Sequence, residues 1–239
     1  MKQQKYIDGI EVPRLMLGTS PFLGAGQFGS RAIEYYQRFY LHPENITELI
    51  IEAMDLGITC VQAVGYEVIA KAIEEAKSYT KKDIEIVGSI GVQDFEQELD
   101  LMKNLKAKII LTHARITDKL DDYFRDCIDK IDKVAIAGVV THNPGVIIPK
   151  LSDQDKIKVI MAPINKAGRF MFLYPEQALD AIKNTDKIVI GKKTLAAGML
   201  KPREALEYVA EFVYGVAIGV ASTEELQETF GIAKEIWKI

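Results

Sequence analysis

Eight short β-rich runs alternate with helical patterns along the chain, and this alternation constrains the fold more than any other feature of the sequence. Several runs are almost continuously apolar, such as VAIAGVV at 134–140 and IVI at 188–190. Strands that are buried on both faces have this pattern, so it predicts a parallel sheet covered by helices. The predicted strands span residues 14–19, 59–63, 85–90, 108–112, 133–140, 158–163, 187–190 and 216–220.

The count of eight strand–helix units favours a closed (β/α)8 barrel, a fold that often occupies roughly 200–250 residues. No linker, low-complexity tract or change of composition divides the 239 residues, so one barrel domain spanning 1–239 is predicted. An open, doubly wound sheet of the same units is the alternative. Residues 1–13 and 20–44 are additions to the barrel, and the second is predicted to be a long loop rich in aromatic residues at 35–40.

The composition excludes several classes of protein. The chain carries 30 Lys and Arg against 34 Asp and Glu, a formal charge of −4, which leaves no excess of basic residues for nucleic acid. No run approaches the roughly 20 apolar residues of a membrane span, and the start lacks the apolar stretch of a signal peptide. Cys60 and Cys127 are too few for a disulfide framework and indicate a reducing compartment. We expect a cytoplasmic protein with a small-molecule substrate, and neither nucleic acid nor a membrane as partner; the oligomeric state stays open.

Polar side chains occupy the predicted strand ends, where the βα-loops of a barrel surround one mouth. His113 and His142 follow neighbouring strands, which are about 5 Å apart, and imidazole is a general acid or base near neutral pH. Both are therefore predicted catalytic residues, whereas His42 is predicted to lie on the surface. The full set of polar strand-end residues is Thr19, Ser20, Gln62, Tyr66, Ser89, His113, Arg115, His142, Asn143, Asn165, Lys166, Lys192, Lys193 and Ser222.

Lys166, which follows the sixth predicted strand, is a candidate for Schiff-base chemistry if burial lowers its pKa. The alternatives are that Lys166 binds an anionic group, together with Arg169, or points to solvent. Lys192 and Lys193 follow the seventh strand. Because adjacent strand positions alternate, we expect one of these two side chains to point inward and the other outward.

The last unit, GVAIGVASTEEL at 215–226, indicates a phosphate site. Its strand leads through Gly219 to Ser222 at a helix start, where unpaired N–H groups and the helix dipole face the mouth. Barrels often bind phosphate after strands seven and eight. An ordinary capping box of Ser222 and Glu225 is the competing interpretation. The predicted cofactor-binding residues are Asn143, Lys192, Gly198, Gly219, Ser222 and Thr223.

Two further candidate sites are rejected, a dinucleotide-binding loop and a metal site. Residues 24–29 match G-x-G-x-x-G, but no helix clearly opens there, and the second strand ends in CVQAV without the acidic residue of a dinucleotide fingerprint. A lid or lip of the mouth is the preferred interpretation of this segment. No two histidines have metal-ligand spacing and the two cysteines lie far apart, so no metal site is predicted.

Several segments of the chain resemble the aldo-keto reductase superfamily. The clearest are LGITCVQAVGYEVIAKAIEEA, IILTHARITD, VIGKKTLAAGMLKPREALEY and AIGVASTEELQE, and RLMLGTSPFLGAGQFG is similar to the family's first strand and following glycine-rich loop. The resemblance implies a barrel that transfers hydride from NADPH to a carbonyl. It also implies a catalytic Asp, Tyr, Lys and His, and a final helix start that holds a cofactor phosphate.

The resemblance identifies two of these four catalytic residues in this chain. His113 matches the His, and Tyr66 matches the Tyr if one residue is deleted between it and the preceding strand. Gln62 stands at the Asp position and Ser89 at the Lys position. Because a neighbouring Lys⁺ helps to lower the pKa of a tyrosine from about 10, Tyr66 beside Ser89 would exchange protons poorly.

Three functions follow as hypotheses. The first is an NADPH-dependent reductase of a small carbonyl compound that uses Tyr66 and His113. The second is a barrel lyase or isomerase that acts on a small phosphorylated or acidic metabolite through His113, His142 or Lys166. The third is a non-catalytic barrel that binds a ligand without turnover. One barrel fold hosts many chemistries, so the fold does not decide between them.

Overall fold

Eight parallel strands form a closed ring in the computed structural model, which describes residues 3–239. The single (β/α)8 barrel predicted from the sequence is confirmed. All eight predicted strands are present, although the fifth begins later than predicted because the preceding helix and its cap extend to Lys133. The barrel strands are β3 (Leu15–Gly18), β4 (Cys60–Val64), β5 (Glu85–Ile90), β6 (Ile109–Thr112), β7 (Ile136–Val140), β8 (Val159–Pro163), β9 (Ile188–Lys192) and β10 (Gly215–Ile218).

The last barrel strand, β10, pairs with the first barrel strand, β3. This pairing closes the ring and excludes the alternative of an open, doubly wound sheet. In the parallel register of β10 and β3, Val216 lies opposite Leu15 and Ile218 lies opposite Leu17. Every other neighbouring pair around the ring is also parallel and follows the order of the chain. The carboxyl ends of all eight strands therefore meet at one mouth, as in other barrels of this type.

Amphipathic helices cover the outside of the ring. In α2 the spacing of Ile46, Leu49, Ile50, Ala53 and Met54 places all five in the layer between helices and strands. The fifth connection, between β7 and β8, contains only a four-residue helix followed by a 3-10 turn. The helices are α1 (Arg31–Tyr35), α2 (Glu44–Asp55), α3 (Glu67–Thr80), α4 (Phe95–Asn104), α5 (Ala114–Thr117), α6 (Asp122–Asp132), α7 (Pro144–Ile147), α8 (Pro175–Asn184), α9 (Pro202–Ala210) and α10 (Thr223–Trp237).

An apolar cluster separate from the layer between helices and strands fills the barrel interior. Its members alternate along each strand with residues that face the helices, because strand side chains have a period of two. The N-terminal hairpin of β1 (Tyr6–Ile7) and β2 (Ile10–Glu11) packs against this cluster. It closes the end of the barrel opposite the mouth, where the Tyr214 hydroxyl donates to the Val12 carbonyl at 3.0 Å.

The prediction of a long loop over residues 20–44 is wrong, because this segment is largely helical. Two 3-10 turns lead into α1, and a π-helical turn over Tyr36–Tyr40 follows. The segment has a small aromatic core of its own, in which the rings of Phe22 and Phe39 lie 5.0 Å apart and both side chains are buried. This packing fixes the segment as one wall of the mouth. No helix within residues 3–239 has the length and apolarity needed to cross a bilayer.

Candidate functional site at the barrel mouth

A cavity of about 480 Å³ opens at the carboxyl ends of the barrel strands. We call it the mouth cavity. Its floor is polar, and one wall is formed by Gln27, Arg31 and Tyr35 of the helical segment. Gly219, Glu225 and Glu228 follow β10, which lies across the ring from β6 and the His113 that follows it, and Gly198 lies beside Arg31. The floor residues are Gln62, Ser89, His113, His142 and Lys192.

The floor follows from the alternation of each strand. Every floor residue lies two positions beyond an inward-facing residue, so its side chain continues the inward series at the point where the strand ends. Examples are His113 after Leu111, His142 after Val140 and Lys192 after Ile190. Five polar side chains thus replace the apolar filling of the barrel in its uppermost layer.

The two histidines lie side by side, as predicted from their neighbouring strands. Their rings are 5.6 Å apart and nearly perpendicular, at 89°. The backbone N–H of Arg115 donates to His113 Nδ1 at 3.2 Å, which leaves the ring proton of the neutral imidazole on Nε2. Burial, with the nearby charge of Lys192, lowers the pKa of His113 to about 4 and that of His142 to about 3. Both rings are therefore neutral at pH 7.

Asp118 supports the His142 loop and is a site residue that sequence reasoning missed. Its carboxylate accepts from the Thr141 hydroxyl at 2.6 Å and from the His142 backbone N–H at 3.1 Å. Burial raises the pKa of Asp118, and these two hydrogen bonds oppose that rise. The signal for it is its position at the end of IILTHARITD, five residues after His113.

Lys192 and Lys193 both line the mouth cavity, so the predicted split of the pair is wrong. Lys192 is the last residue of β9 and faces inward. Lys193 follows the strand in a left-handed conformation (φ 56°), which turns its side chain back toward the mouth, and its amine lies 4.9 Å from the centre of the Phe170 ring. Burial and the charge of Lys193 lower the pKa of Lys192 well below its ordinary value. Burial also lowers the pKa of Lys193.

Lys166 does not reach the mouth cavity. Its amine donates to Glu204 Oε1 at 2.6 Å on the surface, and the side chain is 51% exposed. The Glu204 carboxylate raises the pKa of Lys166, which is opposite to the condition for Schiff-base chemistry. His42, with a side chain 63% exposed, lies on the surface as predicted.

Tyr66 is also absent from the cavity lining. It is the N-cap residue of α3, is half-buried, and packs against the layer between helices and strands. A tight turn causes this placement, since the Tyr66 N–H donates to the Val64 carbonyl at 2.7 Å directly after β4. Gln62, Ser89 and His113, which stand at the three other tetrad positions, all line the cavity.

The start of α10 is a capping box, as the competing interpretation of the last unit predicts. Ser222 Oγ accepts from the Glu225 N–H at 3.2 Å, and Glu225 Oε2 accepts from the Ala221 N–H at 2.8 Å. Gly219 lines the mouth cavity, whereas Ser222 and Thr223 are not among its lining residues. The carboxylates of Glu225 and Glu228 line the cavity beside this helix start and oppose a phosphate there.

Arg31 provides positive charge at this end of the cavity. Its guanidinium donates to the Ala197 carbonyl and lies 5.7 Å from the centre of the Tyr35 ring. Gly198 lines the same end with φ +82°, and a Cβ at Gly198 would lie 2.6 Å from Arg31 Nη2. Only glycine permits this contact without displacing the guanidinium. Arg31 lies in the segment predicted as a loop, so the sequence did not connect it with the mouth.

Asn143 lies just outside the cavity lining, at the start of α7. Its buried Oδ1 has no hydrogen-bond partner, although its backbone N–H is bound by the Thr141 hydroxyl at 2.9 Å. A buried acceptor without a donor carries a free-energy cost that a ligand N–H would remove. Within residues 3–239 no cluster of three or more His, Cys, Asp or Glu has the geometry to hold a metal ion.

The fold is similar over almost its whole length to solved aldo-keto reductases. A protein described as an aldo-keto reductase from Pseudomonas aeruginosa matches with a TM-score of 0.71 at 18% identity, over 98% of this chain and 96% of that chain. A thermostable aldo-keto reductase solved with the inhibitor epalrestat matches with 0.65 at 18%, over 99% and 97%. A protein described as a 2,5-diketo-D-gluconic acid reductase B matches with 0.66 at 12%, over 100% and 91%.

These similarities define the class of the barrel: the chain has an aldo-keto reductase-like fold, as the sequence resemblance predicts. No protein-family model matches the sequence. No curated protein matches it either. At identities of 12–18% the likeness concerns the architecture, and the reaction has to be argued from the mouth cavity.

Proposed function

We propose that the protein is an oxidoreductase that reduces the carbonyl group of a small compound in the mouth cavity with NAD(P)H. The observation that carries the proposal is the neutral, oriented His113 on the floor of a barrel whose whole-chain structural neighbours are described as reductases. The proposed partner is a small-molecule substrate. Cys60 and Cys127 are both free and buried, which supports the proposed location in the reducing cytoplasm.

His113 is proposed to orient and polarise the substrate carbonyl. Since its Nδ1 accepts the Arg115 N–H, its Nε2–H is the donor left for a carbonyl oxygen. NAD(P)H supplies the hydride when it is bound. The alkoxide product then needs a proton, and Tyr66, the donor that the resemblance implies, is absent from the cavity lining. The Lys192 ammonium is the acid that the floor offers, because its lowered pKa makes it a better donor than an ordinary lysine.

The lining residues fit a nucleotide at the end of the cavity away from the histidines. Gly198 leaves room for the Arg31 guanidinium, which supplies the positive charge that a pyrophosphate needs. Gly219 would contribute a further backbone surface at this end. Asn143, which follows His142, is not among the lining residues and is not part of the proposed nucleotide site. The resemblance implies NADPH. The carboxylates of Glu225 and Glu228 disfavour the additional phosphate of NADPH if it reaches α10, so NADH is the second cofactor to test.

The test is a titration of the purified protein with NADPH and with NADH, following the cofactor fluorescence. We expect saturable binding that excess inorganic phosphate weakens, followed by loss of cofactor absorbance when a suitable aldehyde or ketone is added. Replacement H113Q should lower turnover while leaving nucleotide affinity unchanged, and H42Q on the surface is the matched control. Failure of both nucleotides to bind at millimolar concentration would refute the proposed reductase.

A further inference from the structure

The Lys192 amine has no partner in the part of the chain that the structure describes. Within residues 3–239, no carboxylate lies within 4.0 Å of Lys192 Nζ, and the amine makes no hydrogen bond. Surface lysines such as Lys156 and Lys166 each donate to a carboxylate at 2.6 Å. Lys192 is half-buried on the cavity floor, where an ammonium without a counter-ion is less stable than in water, and this cost falls when the amine gives up its proton. Lys192 is therefore held toward the free-amine form, the form that acts as a nucleophile.

The groups around Lys192 leave that amine available. His113 and His142, whose pKa values respond to the charge of Lys192, are neutral and lie on the same floor. Asp118 is the acidic residue that acts on Lys192, but its carboxylate is engaged by Thr141 and by the His142 backbone. The mouth cavity supplies about 480 Å³ of space in front of the floor.

We propose that Lys192 forms an imine with a small aldehyde, ketone or 2-oxo acid bound in the mouth cavity. The lone pair of Lys192 Nζ forms a bond to the carbonyl carbon, and the electrons of the C=O bond move to the oxygen, which takes up a proton. Loss of that hydroxyl as water, with the nitrogen losing its two protons overall, gives the C=N bond. Overall, one carbonyl compound and one amine react to give one imine and one water. The neutral imidazole of His142 can take the proton from nitrogen and return it to the departing hydroxyl, while the Nε2–H of His113 donates a hydrogen bond to the carbonyl oxygen.

The imine extends the chemistry of the site beyond the proposed reductase, because it needs no nucleotide. Protonated C=N draws electrons from the neighbouring carbon, so an imidazole can remove a proton there and the electron pair moves onto nitrogen as an enamine. Return of a proton and hydrolysis by one water restore the Lys192 amine and release a carbonyl product. This sequence serves isomerisation next to a carbonyl. For carbon–carbon cleavage, the imidazole instead removes the proton of a hydroxyl on the next carbon, that fragment leaves as an aldehyde, and the electron pair of the broken bond forms the enamine. In the lyase or isomerase hypothesis, Lys192 on the cavity floor then takes the role that the sequence suggested for the exposed Lys166.

The test traps the imine on the full-length protein. Glyoxylate, pyruvate, glycolaldehyde and pyridoxal 5′-phosphate serve as separate carbonyl probes, each followed by borohydride, which reduces an imine to a stable secondary amine. Intact mass and peptide mapping then locate the adduct. We expect wild-type protein near neutral pH to carry one adduct, on Lys192, formed at least tenfold faster than on Lys166. K192M should lose it and K166M should keep it.

The outcomes separate this proposal from its alternatives and from the reductase. Adducts spread over surface lysines without preference for Lys192 in wild-type protein would overturn the imine, whether or not K192M folds. Absence of a Lys192 adduct with all four probes, in wild-type protein whose surface lysines do react, would also overturn it. A Lys192 adduct in a protein that binds neither NADPH nor NADH would refute the reductase alone. NAD(P)H-dependent reduction without an adduct would refute the imine alone.

Discussion

Acidification should destabilise the fold through the two floor histidines. Both are neutral in the folded protein, because burial lowers the pKa of His113 to about 4 and of His142 to about 3. In the unfolded chain an ordinary histidine takes up its proton near pH 6.5. As the pH falls from 6.5 toward 4, the unfolded chain binds protons that the folded chain does not. The two histidines therefore do not reduce the free energy of unfolding above pH 6.5, and they reduce it progressively as the pH falls below that value.

The size of the effect follows from the interval between the two pKa values. Each histidine contributes a slope of about 1.4 kcal/mol per pH unit within its interval. For His113, between pH 6.5 and about 4, the loss is about 3 kcal/mol as an upper bound. The cavity opens to solvent, so screening reduces this, and about 2 kcal/mol is the expected loss for His113. A loss of that size is a large part of the stability of an ordinary domain, which is about 5–15 kcal/mol.

The assay is urea unfolding at pH 7, 6, 5 and 4, with wild-type protein, H113Q, H142Q and H42Q compared. The difference in unfolding free energy between wild type and H113Q should change by about 2 kcal/mol over this range in favour of the variant. H42Q removes an exposed imidazole and is the matched control for a general effect of the substitution. A difference between wild type and H113Q that stays constant from pH 7 to pH 4 would refute the argument that the floor keeps His113 neutral.

Three further substitutions test how the mouth is built. Glu98 accepts from four backbone N–H groups in the loop after β5, so E98A should lower the free energy of unfolding by about 3 kcal/mol or more in urea denaturation; a loss below 1 kcal/mol would contradict this role. G198A combines φ +82° with a contact 2.6 Å from Arg31, and should cost about 1–2 kcal/mol of stability, measured in the same assay against G231A, whose added Cβ meets nothing within 4 Å. R31M should raise the dissociation constant for NADPH about tenfold by fluorescence titration, and an unchanged constant would place the nucleotide elsewhere.

The barrel could be predicted because its signal is local and repeated. Each apolar run identifies a strand buried on both faces, and eight of them close a ring without any knowledge of contacts. The segment over 20–44 could not be predicted in the same way. Its helical turns depend on packing between Phe22 and Phe39, which lie far apart in the sequence and come together only in the folded chain.

The two histidines of the site could be predicted from the alternation of inward- and outward-facing residues along a strand. The choice of the inward-facing lysine could not, because it depends on the residue at which a strand ends. His113 and His142 follow clear apolar runs, and a displacement of the strand end by one residue leaves them at the mouth. Lys166 and Lys192 have similar sequence contexts, but β8 ends at Pro163, three residues before Lys166, whereas β9 ends at Lys192 itself. The end of β8 is as predicted, so Lys166 lies in the loop beyond it, whereas β9 continues past its predicted end at residue 190 and includes Lys192 as an inward-facing residue.

The protonation state of Lys192 connects the two chemistries proposed for the mouth. As an ammonium, Lys192 is an acid for reduction of a free carbonyl; as an amine, it is a nucleophile toward the same carbonyl. Reduction of a carbon already bound to Lys192 would leave a secondary amine that water cannot hydrolyse, so the two reactions exclude each other on one substrate molecule. Because burial and the charge of Lys193 lower the pKa of Lys192 well below its ordinary value, more of Lys192 is free amine near neutral pH than for an ordinary lysine. An anionic carbonyl compound such as glyoxylate would raise that pKa, so its imine with Lys192 should form best at a higher pH than the imine of the uncharged glycolaldehyde.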